Sequence, residues 1–505
     1  MSNFGTTRRS FRIEKLTRLA SWKSDIYPPE IWEHIFSYLT GLQLLRARLV
    51  CRRWRDIVTG CPPLMRKLRI RLERKRIWRK YPLPDNFYVM DRNFNPTWLL
   101  PVTEIIFQDQ LIAGIGPWWT RLAQKLTHLT LSGGFMDLSL LIVMLRQTPN
   151  LQSLQIRESC LTGTAELNVQ FTKLQELNLD ELRCCGDERT NLLDVFDNIF
   201  PRVKDLRIRK IWKEDFNVDR LLPPIRALAG TLEALEVDDA AVNVLRDLPE
   251  LTRLRRTSLH VEPRFNWDSW AKFFRTQRLI EDLVIYTDEL CDTKVLRDIG
   301  RAVPNLKRLT LHITDRIDTD FLKFMPNLQY FELRGDLYNT IVLPRKGSAR
   351  ITEIRLREVT VTGFWKFLDR SPHLARIVLN SCVLVDEDSN AKVSKNLRAV
   401  EIDRHTNISL GMLQSLLRKC PFLEELVYCN EETYDESVVP LICERLKGLR
   451  KLSLQYCSVT DADVGHLARY GLALEEVRLS RHTLCLQTVK QLRATRNIHV
   501  CVIDD

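Results

Sequence analysis

Apolar positions from residue 102 onward recur in the order L-x-x-L-x-L, with Val, Ile or Phe admitted at each anchor. Clear copies are Leu126/Leu129/Leu131, Leu151/Leu154/Ile156, Leu174/Leu177/Leu179, Val203/Leu206/Ile208 and Leu232/Leu235/Val237. Further copies are Ile280/Leu283/Ile285, Leu306/Leu309/Leu311, Leu328/Phe331/Leu333, Ile351/Ile354/Leu356, Leu374/Ile377/Leu379, Leu397/Val400/Ile402, Leu449/Leu452/Leu454 and Leu474/Val477/Leu479. Weaker copies begin at Val102, Leu254, Leu423 and Ile498. The spacing of first anchors is about 25 residues, the signature of a repeat array; scattered amphipathic helices would keep no fixed phase. Between the copies lie helix-period segments such as DTKVLRDIGRAVPN and GMLQSLLRKCPF. Several end in Pro-Asn or Pro-x, a helix stop followed by an extended residue. Each unit is therefore predicted as one short strand and one helix.

That period falls in the leucine-rich-repeat window. Sixteen to seventeen such units over 101–505 predict an α/β solenoid with a parallel sheet on one side and helices on the other. Helices are wider than the strand spacing, so the stack is expected to curve with the sheet inside, along an inner arc of about 77 Å. A surface that long suits a macromolecule. The third, fifth and seventh positions of each copy point to the concave face. Candidate target-binding residues there are Tyr286, Arg308, His312, Tyr330, Arg334, Arg355, Arg357 and Arg376, with Glu332 and Glu353 opposing the Arg charge. Arg mixed with Tyr and His is a hot-spot composition; a plain solvated sheet is the competing reading. An acidic or phosphorylated protein target is expected, with an inositol phosphate or other polyanion as a lesser option and no other cofactor. A second candidate surface is the aromatic segment Phe265–Phe274, whose rings are expected mostly in the core.

Residues 25–68 do not fit the repeat. Pro28-Pro29 opens a helix whose apolar face is Ile31, Trp32, Ile35, Phe36 and Leu39; Thr40-Gly41 breaks it, and two further short helices end at Gly60-Cys61-Pro62-Pro63. The apolar surface exceeds what a core of about 40 residues can use, which predicts a partner. The segment resembles an F-box, on Pro28-x-Glu30, Ile31, Ile35-Phe36-Ser37-Tyr38-Leu39, Leu44-Leu45, Val50-Cys51-Arg52-Arg53-Trp54 and Pro63-Leu64-Met65-x-x-Leu68. It departs from the usual pattern at Tyr27 and Met65, both apolar exchanges. The resemblance implies a Skp-type adaptor bound through Pro28, Glu30, Ile31, Ile35, Leu39, Leu45, Val50, Cys51 and Trp54, and through it a cullin. The chain would then be the substrate receptor of a Skp–cullin–F-box ubiquitin ligase, non-catalytic itself, acting in the cytoplasm or nucleus.

Charge sharpens the division. Residues 1–80 carry 20 basic and 6 acidic side chains, whereas the remainder carries 56 and 58. Residues 1–24 read as a flexible basic tail. Residues 66–80 hold nine basic side chains and one acidic, and together with the three prolines of 81–100 they read as a basic helix and irregular connection over 69–100. They keep open a nucleic-acid- or polyanion-binding alternative, although a solvated helix face ranks first. A non-degradative adaptor is the other alternative. No secretory h-region, membrane-length apolar run, nucleotide loop or HExxH motif is present. The spacing of His482, Cys485, His499 and Cys501 is too loose for zinc; Cys501 falls on an anchor position and is expected to be interior. No metal site and no catalytic site are expected.

Overall fold

In the computed structural model, residues 27–503 are described except for segments chiefly at 74–87, 90–101, 164–169, 186–198, 210–220, 238–244, 262–266, 288–292, 345–349, 386–392, 430–436 and 481–489, with shorter gaps between. The tail 1–24, most of the connection before residue 102, and His482 and Cys485 therefore lie outside the described residues. The chain divides into two compact units, Met1–Leu232 and Glu233–Asp505, so the boundary falls inside the repeats.

The first unit opens with four short helices, α1 (Pro29–Ser37), α2 (Gly41–Ala47), α3 (Arg52–Gly60) and α4 (Pro62–Met65). Prolines sit at the N-terminal end of α1, where a missing N–H costs nothing. Thr40 and Gln43 form a reciprocal capping box at the start of α2. Phe36, on the inner face of α1, is 1% exposed and meets Trp54 of α3 edge-on at 5.1 Å; Trp32 lies 4.8 Å from the same indole. Gly41 is demanded by a close approach, because a Cβ there would stand 2.3 Å from the Lys67 carbonyl oxygen. The Lys67 ammonium in turn donates to the carbonyls of Ser37 and Leu39. The chain leaving α4 is thus fastened to the α1–α2 corner.

From there the chain enters the sheet directly. Strand β1 (Arg69–Glu73) pairs in parallel with β2 (Glu104–Gln108), in register Arg69↔Glu104 to Glu73↔Gln108. The expected basic helix is corrected at 69–73. Leu68, Ile70 and Leu72 alternate with Arg69 and Arg71, a period of two that suits a strand, and the density of charge hid it. The sheet continues through β3 (His128–Ser132), β4 (Ser153–Arg157), β5 (Glu176–Asp180) and β6 (Asp205–Arg209), all parallel.

The second unit repeats the plan with β7 (Ala234–Val237), β8 (Arg256–Val261), β9 (Asp282–Thr287), β10 (Arg308–His312), β11 (Tyr330–Arg334) and β12 (Glu353–Arg357). It continues with β13 (Arg376–Asn380), β14 (Ala399–Ile402), β15 (Glu425–Tyr428), β16 (Lys451–Leu454), β17 (Glu476–Ser480) and β18 (His499–Ile503). Anchors stack on anchors: Leu283, Leu309, Phe331, Ile354, Ile377, Val400, Leu426, Leu452, Val477 and Val500 are successive register partners, each nearly inaccessible. Each anchor buries against its neighbours, the nearest-neighbour logic of a solenoid. Helices such as Thr293–Ala302, Leu410–Lys419 and Asp461–Tyr470 fill the opposite layer; Phe273 and Phe274 of Trp267–Thr276 are core, while Phe265 and the side chains of Trp267 and Trp270 lie outside the described residues.

Two features depart from the one-strand, one-helix unit. Many main strands end in a left-handed corner that leads into a second short strand. Asp109, Gly133, Glu158 and Glu181 all have positive φ, and each still donates its N–H to the next repeat's carbonyl, at Ser132, Arg157, Asp180 and Arg209. The ladder bond offsets the conformational cost of φ > 0 at Asp and Glu. The last repeat also slips by one residue. Val500, not Cys501, pairs with anchor Val477, so Cys501 pairs with Arg478 on the open sheet face, half-exposed with Sγ 3.2 Å from His499 Nε2. The interior reading of Cys501 is corrected accordingly.

Asparagines before the strands bind repeat to repeat. Asn150 Nδ2 donates to the Gln124 carbonyl and Asn327 Nδ2 to the Pro304 carbonyl, both at 2.8 Å, while Asn327 Oδ1 accepts from Arg350 at 2.6 Å. Asn327 therefore joins three successive repeats. Asn327→Ala is expected to lower stability by about 1 kcal/mol. A urea midpoint unchanged from wild type would contradict that role.

Candidate functional site

Two surfaces gather the candidate residues, one in each unit. On the helical module, the outer face of α1 carries Ile31 (44% exposed), Ile35 (42%) and Tyr38 (76%) at i, i+4 and i+7, with Leu49 (78%) beyond α2. Pro28 and Glu30 are exposed as well, while Leu39, Leu45, Val50, Cys51 and Trp54 are half-buried. The sequence expectation thus splits. Pro28, Glu30, Ile31 and Ile35 are free to meet another molecule, whereas Trp54 ties α3 to α1 and Cys51 caps α3, its Sγ accepting from the Trp54 N–H. Tyr38 and Leu49, just past the C-terminal ends of α1 and α2, are exposed apolar residues that the sequence reading did not place among the contact candidates.

On the sheet of the second unit, the positions between anchors build an ion-pair network. Tyr330 and Glu332 of β11 are only 7% and 5% exposed although they lie on the open face. The Tyr330 hydroxyl donates to Glu332 Oε2 at 2.5 Å. Arg334 Nε donates to Glu332 Oε1 at 2.7 Å, and Arg357 Nε lies 3.1 Å from the same oxygen. Burial pushes the Glu332 carboxyl up, but these hydrogen bonds and the two guanidinium charges more than offset it and hold it below its ordinary value. Arg308 covers the Tyr330 ring at 4.0 Å and Arg355 approaches it at 5.6 Å. Burial, then the Glu332 contact, raises the Tyr330 hydroxyl, so it remains a donor. Arg355 Nε donates to Glu353 Oε1 at 2.7 Å, while Arg376 gives Nη2 to Glu401 and Nη1 to Glu425.

Beside this network runs a column of rings one strand apart. His260 stacks on Tyr286 at 4.1 Å, and Tyr286 meets His312 at 4.1 Å. His312 is in register with Arg334. Burial and then the Arg334 charge lower His312 to about 4, against opposition from Glu332 and with help from His260 and Arg357. The imidazole is therefore neutral at physiological pH. A depressed folded pKa means that its stabilising contribution is complete above the unfolded value near 6.5 and fades as pH falls toward 4. His312→Gln should flatten that limb of the stability–pH curve; an unchanged limb would count against a buried neutral His312.

The structure therefore brings Tyr286, Arg308, His312, Tyr330, Arg334, Arg355, Arg357 and Arg376 onto one face. It also supplies a carboxylate partner within reach of each arginine, Arg308 included, through Asp282 at 3.5 Å. Sequence spacing gave the face; the pairing depends on which residues the register sets side by side.

A family model described as F-box-like matches residues 28–71, the segment of α1–α4 and the start of β1. Residues 28–71 are thus an F-box-like segment, and the strands that follow repeat in parallel with apolar anchors stacked on one another. No curated protein sequence matches it. Among solved structures, the chain is similar to a leucine-rich-repeat protein of Leptospira interrogans, at 14% identity and TM-score 0.42 over 77% of this chain and 93% of that one. It is also similar to a chain in the Toll–Spätzle complex of Drosophila (13%, TM-score 0.46, 80% of this chain and 54% of that one). A chain of the mouse RP105/MD-1 complex is comparable (12%, TM-score 0.47, 78% and 74%).

Proposed function

We propose that this protein is the substrate-recognition subunit of a Skp–cullin–F-box ubiquitin ligase. The F-box-like module binds a Skp-type adaptor, which links it to a cullin, and the repeat sheet captures a protein target for ubiquitination. Ubiquitin transfer belongs to other subunits; this chain contributes proximity and orientation. Such a receptor works in the cytoplasm or nucleus, and the reading needs no cofactor. The observation that carries it is the exposed apolar face of α1, in which Ile31, Ile35 and Tyr38 stand in water on a segment that the F-box-like model matches. A covered partner face explains side chains that a module with an otherwise closed core leaves outside. The test is reconstitution of the full chain with purified Skp adaptor and cullin. Co-elution as one complex supports the proposal. A folded chain that binds no adaptor removes the ligase role and leaves a repeat protein that binds its target without ubiquitin transfer.

A further inference from the structure

We propose that the Nη edges of Arg334, Arg355 and Arg357 form a seat for one carboxylate of the target, an Asp or Glu side chain or a chain-terminal carboxylate. The inference rests on the reading of this sheet face as the target surface and says what that surface recognises.

The argument starts from which nitrogens are already in use. Arg334 and Arg355 spend Nε on a carboxylate, at 2.7 Å in both cases, and Arg357 Nε faces Glu332 at 3.1 Å. Among the described residues, none of the three gives an Nη group to a hydrogen-bond acceptor. Arg376 is the reverse, with both Nη groups taken by Glu401 and Glu425. Its side chain is as exposed as that of Arg357, 32% against 33%, so accessibility does not separate them. Glu332 and Glu353 hold Arg334 and Arg355 through Nε hydrogen bonds, and Glu332 holds Arg357 through its charge, leaving the Nη donors of the three without a hydrogen-bond partner among the described residues. Guanidinium forks match planar carboxylates bidentately, and a fork held in place beforehand loses less entropy on binding.

The three arginines lie on two paired strands, Arg334 opposite Arg357 and Arg355 opposite Glu332. Against them stand Glu332 and Glu353, so the seat carries an excess of one positive charge. One strand on, Arg376 is outnumbered by Glu401 and Glu425. A monoanion balances the seat. A phosphoryl group, with about −1.5 to −2 charges at neutral pH, overfills it.

The test needs no known target. A library of random 12-residue peptides is selected on the immobilised full-length chain, and the enriched peptides are remade with Glu or Asp changed to Gln, with an amidated C-terminus, and with phosphoserine at the acidic position. The Gln form, or the amide if the terminus is the source, should bind about 30-fold more weakly. The double variant Arg355→Gln/Arg357→Gln should lose binding to a similar extent, and Arg376→Gln should change it less than about threefold. Phosphoserine should bind no tighter than Glu. Enriched peptides that need the arginines but no carboxylate overturn this inference and leave the sheet face as the target surface. Peptides indifferent to every sheet-face substitution overturn both. Tenfold tighter binding of phosphoserine overturns the carboxylate assignment. The wild-type protein gives an arm that no folding defect can obscure. Phenylglyoxal, which condenses with the Nη pair, should modify Arg334, Arg355 and Arg357 but spare Arg376, and the selected peptide should protect the three. Equal modification of Arg357 and Arg376 overturns the division between them.

Discussion

Ile31→Glu/Ile35→Glu is expected to abolish adaptor capture, a loss of at least about 100-fold, while the protein melts as wild type. Both residues are more than two-fifths exposed, so in the free protein the new carboxylates can reach water. In a complex they would be desolvated without partners. Phe36, one residue on from Ile35, is the control in the opposite sense. It is 1% exposed and packs on Trp54, so Phe36→Ala should unfold the module and lose the adaptor by that route. Trp54→Ala belongs with Phe36 and is a poor probe of adaptor contact, because its ring also meets Trp32. The measurement is titration of purified adaptor against the full chain, with the melting curve of each variant recorded. Adaptor affinity retained by the double Glu variant would show that the α1 face is not the docking surface, and the ligase reading would lose its main support.

The repeat fold was legible because an anchor is a local property. Leu283, Leu309 and Phe331 are buried for the same reason in every unit, so one phased motif read along the chain places each strand. Legibility failed where two patterns overlapped. In β1 a period of two is masked by arginine at the alternate positions, and the charge suggested a helix. In β18 four apolar or thiol-bearing residues run nearly together, so the phase could slip, and only pairing of Val500 with Val477 fixes it. The left-handed corners were not legible either, because Asp109, Glu158 and Glu181 are ordinary solvent residues by type. At the candidate site the spacing locates the arginines and sets Glu332 and Glu353 against their charge, whereas cross-strand register aims Glu332 at arginines of two strands at once. Which nitrogen each arginine has left is a property of side-chain geometry and has no signature in spacing.

Glu332 is where that geometry converges, and Glu332→Ala should destabilise the second unit by about 3 kcal/mol. The carboxylate is 5% exposed and serves Tyr330, Arg334 and Arg357. Its removal leaves Arg334 and Arg357 side by side in register without the charge they share, and leaves the Tyr330 hydroxyl buried without an acceptor. Glu353→Ala removes a pair whose members are 25% and 34% exposed, and the expected cost is under about 1 kcal/mol. The contrast separates a buried hub from an ordinary surface pair of the same residue types. Acid supplies a second readout. Glu332 has a folded pKa below its unfolded value, so its contribution is full above the unfolded value and is lost as pH falls through the folded one. Wild type and Glu332→Ala should therefore differ most near neutrality and converge in acid, measured as urea midpoints from pH 7 downward. Equal midpoints at pH 7 would mean that the two guanidiniums do not depend on Glu332 for their positions, and the buttressed seat would lose its physical basis.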